Sequence, residues 1–328
     1  MSELPAPDAV GEGVWRVTTP LPFRPRRVHA YLAALGGGGW LLVDGGANTD
    51  DAWAALDDGV RRTAGGWGGV RLHLVTHMHL DHVGLAERVR AASGAPLAEG
   101  RLDAERAAHA HAHPEEEFEY RGSLLEEGGV PEPLRAPMQG SRGGANPLSS
   151  FVPADHLLPE DTSPLPDAPE WNVVWTPGHT AGHVSVFRES DGLLLAGDAV
   201  LPRVTPTIGV NRQRADPVGD YLDALGRLRA LRPARAAAGH GTVMEDVETR
   251  LNELAAATEA ESAAVAGLLS TEPATAWELA RARYPDRELP HSVWMHALRE
   301  TLAHLRHLAA AGRAGEERRG GVAAFRRR

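Results

Sequence analysis

Cysteine does not occur among the 328 residues of this chain, which excludes disulfide bonds, thiolate nucleophiles and thiolate metal sites. The sequence contains no apolar run long enough to span a membrane, and residues 1–20 lack the basic and then apolar pattern of a signal peptide. We therefore expect a cytoplasmic protein without a membrane partner.

Positive charge is also scarce, because 34 basic residues stand against 44 acidic ones and give a formal net charge of −10. This balance argues against nucleic-acid binding over a broad surface, although it does not exclude a local basic site. Hydrophobic residues make up 42% and charged residues 24% of the chain, as in ordinary soluble globular proteins. The length predicts one large domain and a smaller one.

The segment at 76–82 reads Thr-His-Met-His-Leu-Asp-His and is hard to explain by packing alone. It follows a run of valine and leucine that is typical of a buried strand, and it precedes a segment with helical spacing. At such a junction His77 and His79 can project together, while Asp81 and His82 can point to a neighbouring position. This arrangement favours two metal ions over one.

Further histidine and aspartate residues follow three later predicted strands, at His179, Asp198 and His240. Strands come first in the chain and then alternate with helices, which predicts an α/β fold. Ligands of open α/β sheets gather at the carboxyl ends of the strands. We therefore expect these three residues to join the first motif at one edge.

Seven residues together fit a dinuclear metal centre. The ligands predicted for one metal are His77, His79 and His179. Those predicted for the other metal are Asp81, His82 and His240. Asp198 would bridge the two, because a carboxylate has two oxygen atoms and offsets part of the repulsion between cations.

Imidazole and carboxylate ligands without thiolates favour two Zn²⁺ ions, with Mn²⁺ or Fe as alternatives. A hydroxide shared by the two metals would be the nucleophile, and Asp81 is the predicted catalytic residue that orients it. Asp44 and His183 are candidates for holding the ligands in place. For Asp44 the alternative is a turn residue after a strand, and for His183 it is a buried, hydrogen-bonded histidine.

Residues 101–169 differ from the rest, with many acidic residues and prolines and no sustained strand pattern. We interpret them as a partly helical insertion that acts as a lid, a binding loop or a mobile segment. The insertion contains His109, His111 and His113. Because alternate residues of a helix point to opposite sides, we expect a solvated surface there rather than a metal site.

After residue 245 the chain predicts three helices, the second of them opened by a capping box that begins at Thr275. The segment 313–328, with two glycines in its middle, predicts a two-stranded wing. Helices followed by such a wing are typical of a winged helix.

The motifs at 77–82, 176–183, 197–198 and 239–241 resemble those of the metallo-β-lactamase-fold hydrolase superfamily, over roughly residues 10–245. The C-terminal part is similar to the extra domain of the β-lactamase-like-protein-2 branch, and the Asp-His pair of the first motif is similar to that of glyoxalase II-type enzymes. The resemblance implies an αββα sandwich and a dinuclear metal site. The implied domains are a catalytic domain at 1–245, with the insertion at about 101–169, and a winged-helix-like domain at 246–328.

The function expected first is a zinc hydrolase acting on a small-molecule acyl substrate, namely a thioester, ester or lactone. One alternative is a metal-dependent endoribonuclease or phosphodiesterase, in which the winged helix or the arginine-rich segment from Arg313 binds the nucleic-acid backbone. Another is a regulator that binds nucleic acid through the winged helix and leaves the metal site idle. We expect the winged helix to serve in a homodimer instead.

Overall fold

The computed structural model describes residues 5–140, 146–285 and 287–328. The strands are β1 (Asp8–Gly11), β2 (Val14–Pro20), β3 (Arg27–Ala34), β4 (Trp40–Val43), β5 (Val70–Val75), β6 (Leu97–Gly100), β7 (His156–Leu158), β8 (Thr162–Leu165), β9 (Ala168–Trp175), β10 (Val184–Arg188), β11 (Leu193–Gly197), β12 (Arg235–Ala238), β13 (Ala274–Thr275), β14 (Ala314–Arg319) and β15 (Val322–Arg327). The helices are α1 (Asp50–Ala64), α2 (Leu80–Val83), α3 (Ala86–Ser93), α4 (Arg101–Ala112), α5 (Pro114–Glu127), α6 (Glu132–Gln139), α7 (Pro217–Ala230), α8 (Val247–Leu268), α9 (Ala276–Arg283) and α10 (His291–Ala310), with a 3₁₀ turn at Trp67–Gly69.

Two large sheets carry the fold. The first has seven strands in the order β1-β2-β3-β4-β5-β6-β7, antiparallel up to β4 and parallel from there on. The second has five strands in the order β12-β11-β10-β9-β8, with only β11 and β12 parallel. In each sheet the parallel strands end at one edge, which brings the segments that follow them together.

The hydrophobic core lies in three layers. Between the sheets, Leu41 and Leu72 of the first pack in one cluster with Trp171 of the second. The outer face of the first sheet is covered by α1 and α3. The outer face of the second is covered by α7, α8 and the C-terminal helices. Because apolar area removed from water stabilises at about 25 cal/mol per Å², these layers hold the sheets together. The predicted αββα sandwich is confirmed.

Helix α1 shows how local sequence sets these layers. Thr49 caps it by accepting a hydrogen bond from the Ala52 N–H, and Gly65 ends it at φ 72°. Gly59 lets the helix approach β2, because a Cβ there would lie 2.5 Å from a methyl group of Val17. The helix therefore packs closely on the strands that lead to the site.

Residues 101–169 are more regular than the sequence indicated. They form α4, α5 and α6, as expected of a helical insertion, but they also contain β7 and β8, which extend the two sheets. These strands have three and four residues and include a proline, so they leave no pattern of alternation. The part of the insertion at 141–145 lies outside the described residues.

The C-terminal part has the predicted winged-helix plan. Thr275 and Glu278 form the predicted capping box of α9, and β14 and β15 form the predicted wing. The short β13 adds a third strand to the wing, which the sequence did not indicate. The core of this part is continuous with the outer face of the second sheet, since Trp294 and Phe325 belong to the same cluster as Leu194 and Tyr221. No helix among the described residues combines the length and hydropathy needed to cross a lipid bilayer.

Candidate metal centre

The predicted residues lie where strands of both sheets end. In the first sheet Asp44 follows β4, and the 77–82 motif follows β5. In the second sheet His179, Asp198 and His240 follow β9, β11 and β12. The structure thus brings together residues up to 159 positions apart in the chain, namely Asp81 and His240.

The first group of side chains that can hold a metal ion is His77, His79 and His179. Their ligand atoms lie within 4.8 Å of one another. His77 Nε2 and His79 Nδ1 are 3.0 Å apart, and the rings of His79 and His179 have centroids 4.5 Å apart. Three nitrogen atoms therefore converge on one point, as the sequence predicted for one metal.

The second group is Asp81, His82 and His240, again with ligand atoms within 4.8 Å of one another. His240 Nε2 lies 3.3 Å from Asp81 Oδ2. This is the trio that the sequence predicted for the other metal.

Asp198 lies between the two groups. Its Oδ2 is 3.7 Å from His179 Nε2 and 3.6 Å from His240 Nε2, and its Oδ1 is 3.6 Å from His82 Nε2. These separations are longer than hydrogen bonds but short enough for groups that share a cation. One carboxylate thus faces ligands of both groups.

Three buried polar atoms of the site lack a hydrogen-bond partner in the part of the chain that the structure describes, which bears on whether a metal ion fits there. No described residue supplies a hydrogen-bond partner to His82 Nε2, His179 Nε2 or Asp198 Oδ1. Leaving such atoms unpaired costs about 1–3 kcal/mol each, and all three point into the same site. A cation would satisfy them, and a set of imidazoles and carboxylates suits zinc, manganese or iron.

Asp44 fixes the orientation of His82. Its Oδ2 accepts a hydrogen bond from His82 Nδ1 at 2.8 Å, and its Oδ1 accepts one from the Thr76 N–H at 2.8 Å. Asp44 itself has φ 60°, a conformation that aspartate tolerates better than most residues. Because Nδ1 donates to the carboxylate, Nε2 of His82 keeps its lone pair for a metal.

His183 is buried, and both of its ring nitrogens are engaged. Its Nε2 accepts a hydrogen bond from the Asp198 N–H at 3.0 Å, and its Nδ1 lies 2.7 Å from Thr176 Oγ1. It is therefore placed to hold the main chain at Asp198 rather than to bind a metal. Its burial and the neighbouring His179 lower its pKa well below the ordinary value.

Main-chain carbonyl groups orient His179 and His240. His179 donates from Nδ1 to the Thr207 carbonyl oxygen at 3.0 Å, and His240 donates from Nδ1 to that of Arg27 at 2.8 Å. In both rings Nε2 is thereby left to face the site. No sequence motif identifies Thr207 or Arg27, because any residue supplies a carbonyl.

The electrostatic environment differs from one ligand to the next. Burial, together with neighbouring His179, lowers the pKa of His79 to about 3. Burial opposes the ionisation of Asp81, but the hydrogen bond with His240 and the charge of His82 lower its pKa to about 2. Two histidines shift the other way. The carboxylates of Asp44 and Asp198 outweigh burial and raise the pKa of His82 well above the ordinary value, and the hydrogen bond with Asp81 and the charge of Asp198 outweigh burial and raise the pKa of His240. A cation that binds here would compete with protons for these two imidazoles.

Asp103 in α4 is a residue of the site that sequence reasoning missed. Its fully buried carboxylate accepts hydrogen bonds from the Met78 N–H at 3.0 Å, Thr180 Oγ1 at 2.6 Å and the Gly182 N–H at 2.7 Å. It thus joins the loop of His77 and His79 to the loop of His179. The only signal was an acid in the first turn of a helix, and such acids are common.

The three histidines of the insertion lie at the surface, as expected. His109 pairs with Glu116 at 2.9 Å, and His113 faces the same carboxylate at 3.7 Å. His111 stacks on Phe151. None of the three belongs to a metal-holding group among the described residues.

Comparison with known proteins agrees with this geometry. Residues 23–240 match the family model "Metallo-beta-lactamase superfamily", and residues 275–321 match "Beta-lactamase associated winged helix domain". "Probable metallo-hydrolase YqjP" of Bacillus subtilis is 25% identical over 91% of this chain and 93% of its own length. A "Beta-lactamase-like protein 2 homolog" of Caenorhabditis elegans is 26% identical over 30% of this chain and 31% of its own.

Among solved structures, a metallo-β-lactamase family protein from Thermus thermophilus is 31% identical, with a TM-score of 0.76 over 98% of this chain and 100% of that one. The resemblance inferred from the sequence is thereby confirmed for the fold and for the C-terminal winged helix. The histidine and aspartate groups at the shared edge of the two sheets are what such a fold requires to hold divalent metal. The chain belongs to the metallo-β-lactamase superfamily and is a metallo-hydrolase with a C-terminal winged-helix domain.

Proposed function

We propose that this protein is a cytoplasmic dinuclear metal hydrolase that cleaves a small thioester, ester or lactone. The proposal rests on the position of Asp198. Its carboxylate oxygen atoms lie 3.6–3.7 Å from the Nε2 atoms of His82, His179 and His240. These histidines belong to both ligand groups. A carboxylate so placed can serve two cations at once. Two trios of ligand atoms that share no residue, with Asp198 facing both, support a centre with two metals rather than one.

Two divalent ions held there would supply an attacking water of lowered pKa and would polarise the scissile carbonyl group. The residues of the chain provide the rest. Asp81 is ionised at neutral pH, since its pKa is held at about 2, and it can accept a hydrogen bond that orients the attacking water. Asp44 keeps His82 in one tautomer, and His183 fixes the main chain at Asp198. The ligand geometry is therefore set before substrate arrives.

Zinc is the proposed metal, with manganese or iron as alternatives. The site offers five imidazoles and two carboxylates and no sulfur, a set that zinc accepts in catalytic sites. Metal analysis of protein purified without added metal, followed by activity after reloading with each ion, would identify the native one. Full activity with manganese alone would overturn the choice of zinc.

The proposed substrate class follows from the chemistry and from the charges of the wing. Metal-activated water suits an acyl carbonyl in a chain that has no cysteine nucleophile. Cleavage of phosphodiesters would need basic groups for the phosphates, but Arg318 of the wing pairs with Glu127 at 2.6 Å and Arg319 with Glu317 at 2.9 Å. These two guanidinium groups are already compensated, so the wing is a weaker nucleic-acid surface than its arginine count suggests.

A substrate panel tests the proposal. Purified protein would be assayed against acyl-coenzyme A and glutathione thioesters, lactones, phosphodiesters and single-stranded RNA, with and without a chelator. We expect chelator-sensitive hydrolysis of at least one acyl substrate, lost in His79→Ala and retained in the matched surface variant His109→Ala. RNA cleavage without acyl hydrolysis would reverse the assignment to the endoribonuclease alternative.

We also propose that the C-terminal domain supports a homodimer rather than nucleic-acid binding. The compensated arginines of the wing support a protein contact over a phosphate contact. Sedimentation over a range of protein concentrations would show the dimer. A salt-sensitive gel shift of RNA or DNA by a monomer would count against this role.

A further inference from the structure

The segment that follows Asp198 connects the metal centre to the C-terminal domain. Residues 199–210 contain no helix or strand, so they lack a hydrogen-bond ladder of their own. Yet this segment carries Thr207, whose carbonyl oxygen accepts the hydrogen bond from His179 Nδ1 at 3.0 Å. The position of His179 therefore depends on whatever holds this segment.

Helices of the C-terminal region hold it at both ends. Arg250 of α8 donates to the carbonyl oxygens of Leu201 and Val204 at 2.7 and 2.9 Å. Beyond Thr207, Arg299 of α10 donates to the Val210 carbonyl oxygen at 3.0 Å from Nη2, and the Val210 N–H donates back to the Arg299 carbonyl at 3.2 Å.

Arg299 is an unusual residue for such a contact. It is partly buried, and burial lowers its pKa. Among the described residues no carboxylate forms an ion pair with it, and its guanidinium donates to a main-chain carbonyl instead. A Cβ at Gly209 would lie 3.3 Å from the Arg299 Cβ, so helix and segment are in close contact. Withdrawing a guanidinium from water costs free energy. In return, the hydrogen bonds of Arg299 fix the segment 199–210 at Val210.

The peptide group between Thr207 and Ile208 is held from both sides. Its carbonyl oxygen faces His179, and its N–H faces the carboxyl group of Glu300, the neighbour of Arg299 in α10. Glu300 and Ile208 line the same cavity of about 250 Å³ between α10 and the segment. Glu300 therefore restrains the peptide whose carbonyl oxygen holds His179.

We propose that helix α10 positions His179 for metal binding through the Thr207–Ile208 peptide, with Arg299 and Glu300 as positioning residues. The winged-helix domain is then a working part of the metal centre rather than an appended module. The inference rests on the metal centre proposed above, but not on the identity of the substrate.

The test compares Arg299→Met and Glu300→Gln with two matched variants of the full-length protein. Arg306→Met changes the same helix and removes an ion pair to Glu127 instead, and Glu259→Gln changes an exposed acid of α8. Zn²⁺ affinity would be measured by chelator competition, and the absorption spectrum would be recorded with Co²⁺. We expect a loss of affinity for one ion of about tenfold in Arg299→Met and less in Glu300→Gln, with an altered Co²⁺ spectrum, and no change in the matched variants.

A double-mutant cycle separates positioning from general destabilisation. In a His179→Ala background, Arg299→Met should cause no further loss of metal affinity, because the ligand through which it acts is gone. Wild-type affinity in both single variants, an equal loss in the His179→Ala background, or a wild-type chain that binds no metal would each overturn the inference. Coupling observed in a chain that hydrolyses no acyl substrate would overturn the proposed function alone.

Discussion

Two regions of the metal centre hold their histidines in different ways. At the end of the first sheet, His82 is held by the buried carboxylate of Asp44, which Thr76 fixes in turn. At the end of the second sheet, His179 and His240 are held by main-chain carbonyl oxygens of Thr207 and Arg27. A carboxylate gives a fixed and strongly basic acceptor, whereas a carbonyl is only as well placed as its loop. The first region is thus determined by its own side chains and the second by the packing of remote elements.

Asp198 faces histidines of both regions, so substitution there should be the most damaging. Asp198→Asn keeps the size of the side chain but removes the charge that faces His82, His179 and His240. We expect metal loss from both groups and a fall in activity of more than about a hundredfold, beyond what residues behind the ligands cause. Metal content and turnover would be measured beside Asp223→Asn, which changes an exposed acid of α7. Retention of two metal ions by Asp198→Asn would contradict a shared ligand.

Asp44→Asn would weaken the carboxylate-held region selectively. Without the negative charge behind it, His82 becomes a poorer ligand, and metal affinity or activity should fall about 10- to 100-fold. Metal titration would show the loss in the group of Asp81, His82 and His240 more than in the other group. Asp50→Asn, at an exposed aspartate that pairs with Arg88, supplies the comparison and should behave as wild type. Equal loss from both groups would show that Asp44 does not act through His82 alone.

Asp103→Asn would weaken the hydrogen bonds that connect the loop of His77 and His79 to the loop of His179. The amide offers one oxygen where the carboxylate accepted from three donors, so at least one buried donor loses its partner. We expect a loss of about 1–3 kcal/mol in the free energy of unfolding, measured by urea denaturation of the metal-loaded protein. Asp58→Asn, which removes an exposed ion pair with Arg62, should cost less than about 1 kcal/mol. Equal free energies of unfolding for Asp103→Asn and Asp58→Asn would show that the hydrogen bonds of Asp103 do not stabilise the fold.

Thr207→Ala should leave the carbonyl-held region almost unchanged. His179 binds the carbonyl of Thr207 rather than its exposed side chain, so the substitution leaves the acceptor in place. We expect metal affinity and activity within about twofold of wild type, because substitutions away from special contacts rarely exceed about 0.5 kcal/mol. A loss comparable to that of Asp44→Asn would show that the threonine side chain takes part.

The same contrast explains how much of the molecule could be predicted from its sequence. The apolar run 70–75 and the histidine motif after it predicted both a buried strand and its ligands, because side-chain chemistry and periodicity are local properties. By contrast, β6 reads Leu-Ala-Glu-Gly and shows no strand pattern. Asp103 and Arg299 act through contacts with segments more than 70 positions away, and their partners include main-chain atoms that every residue possesses. Such contacts exist only once the chain is folded.

The hydrophobic core that runs from the second sheet into α8 and α10 has a consequence for how the protein loses its structure. Apolar side chains of both parts lie in one cluster, with Leu194 and Tyr221 on one side and Trp294 and Phe325 on the other. Heat or urea should melt the two parts in a single cooperative step, and a chain cut after residue 245 would aggregate through the bared sheet face. Recombination could not exchange the C-terminal part for another without rebuilding that face.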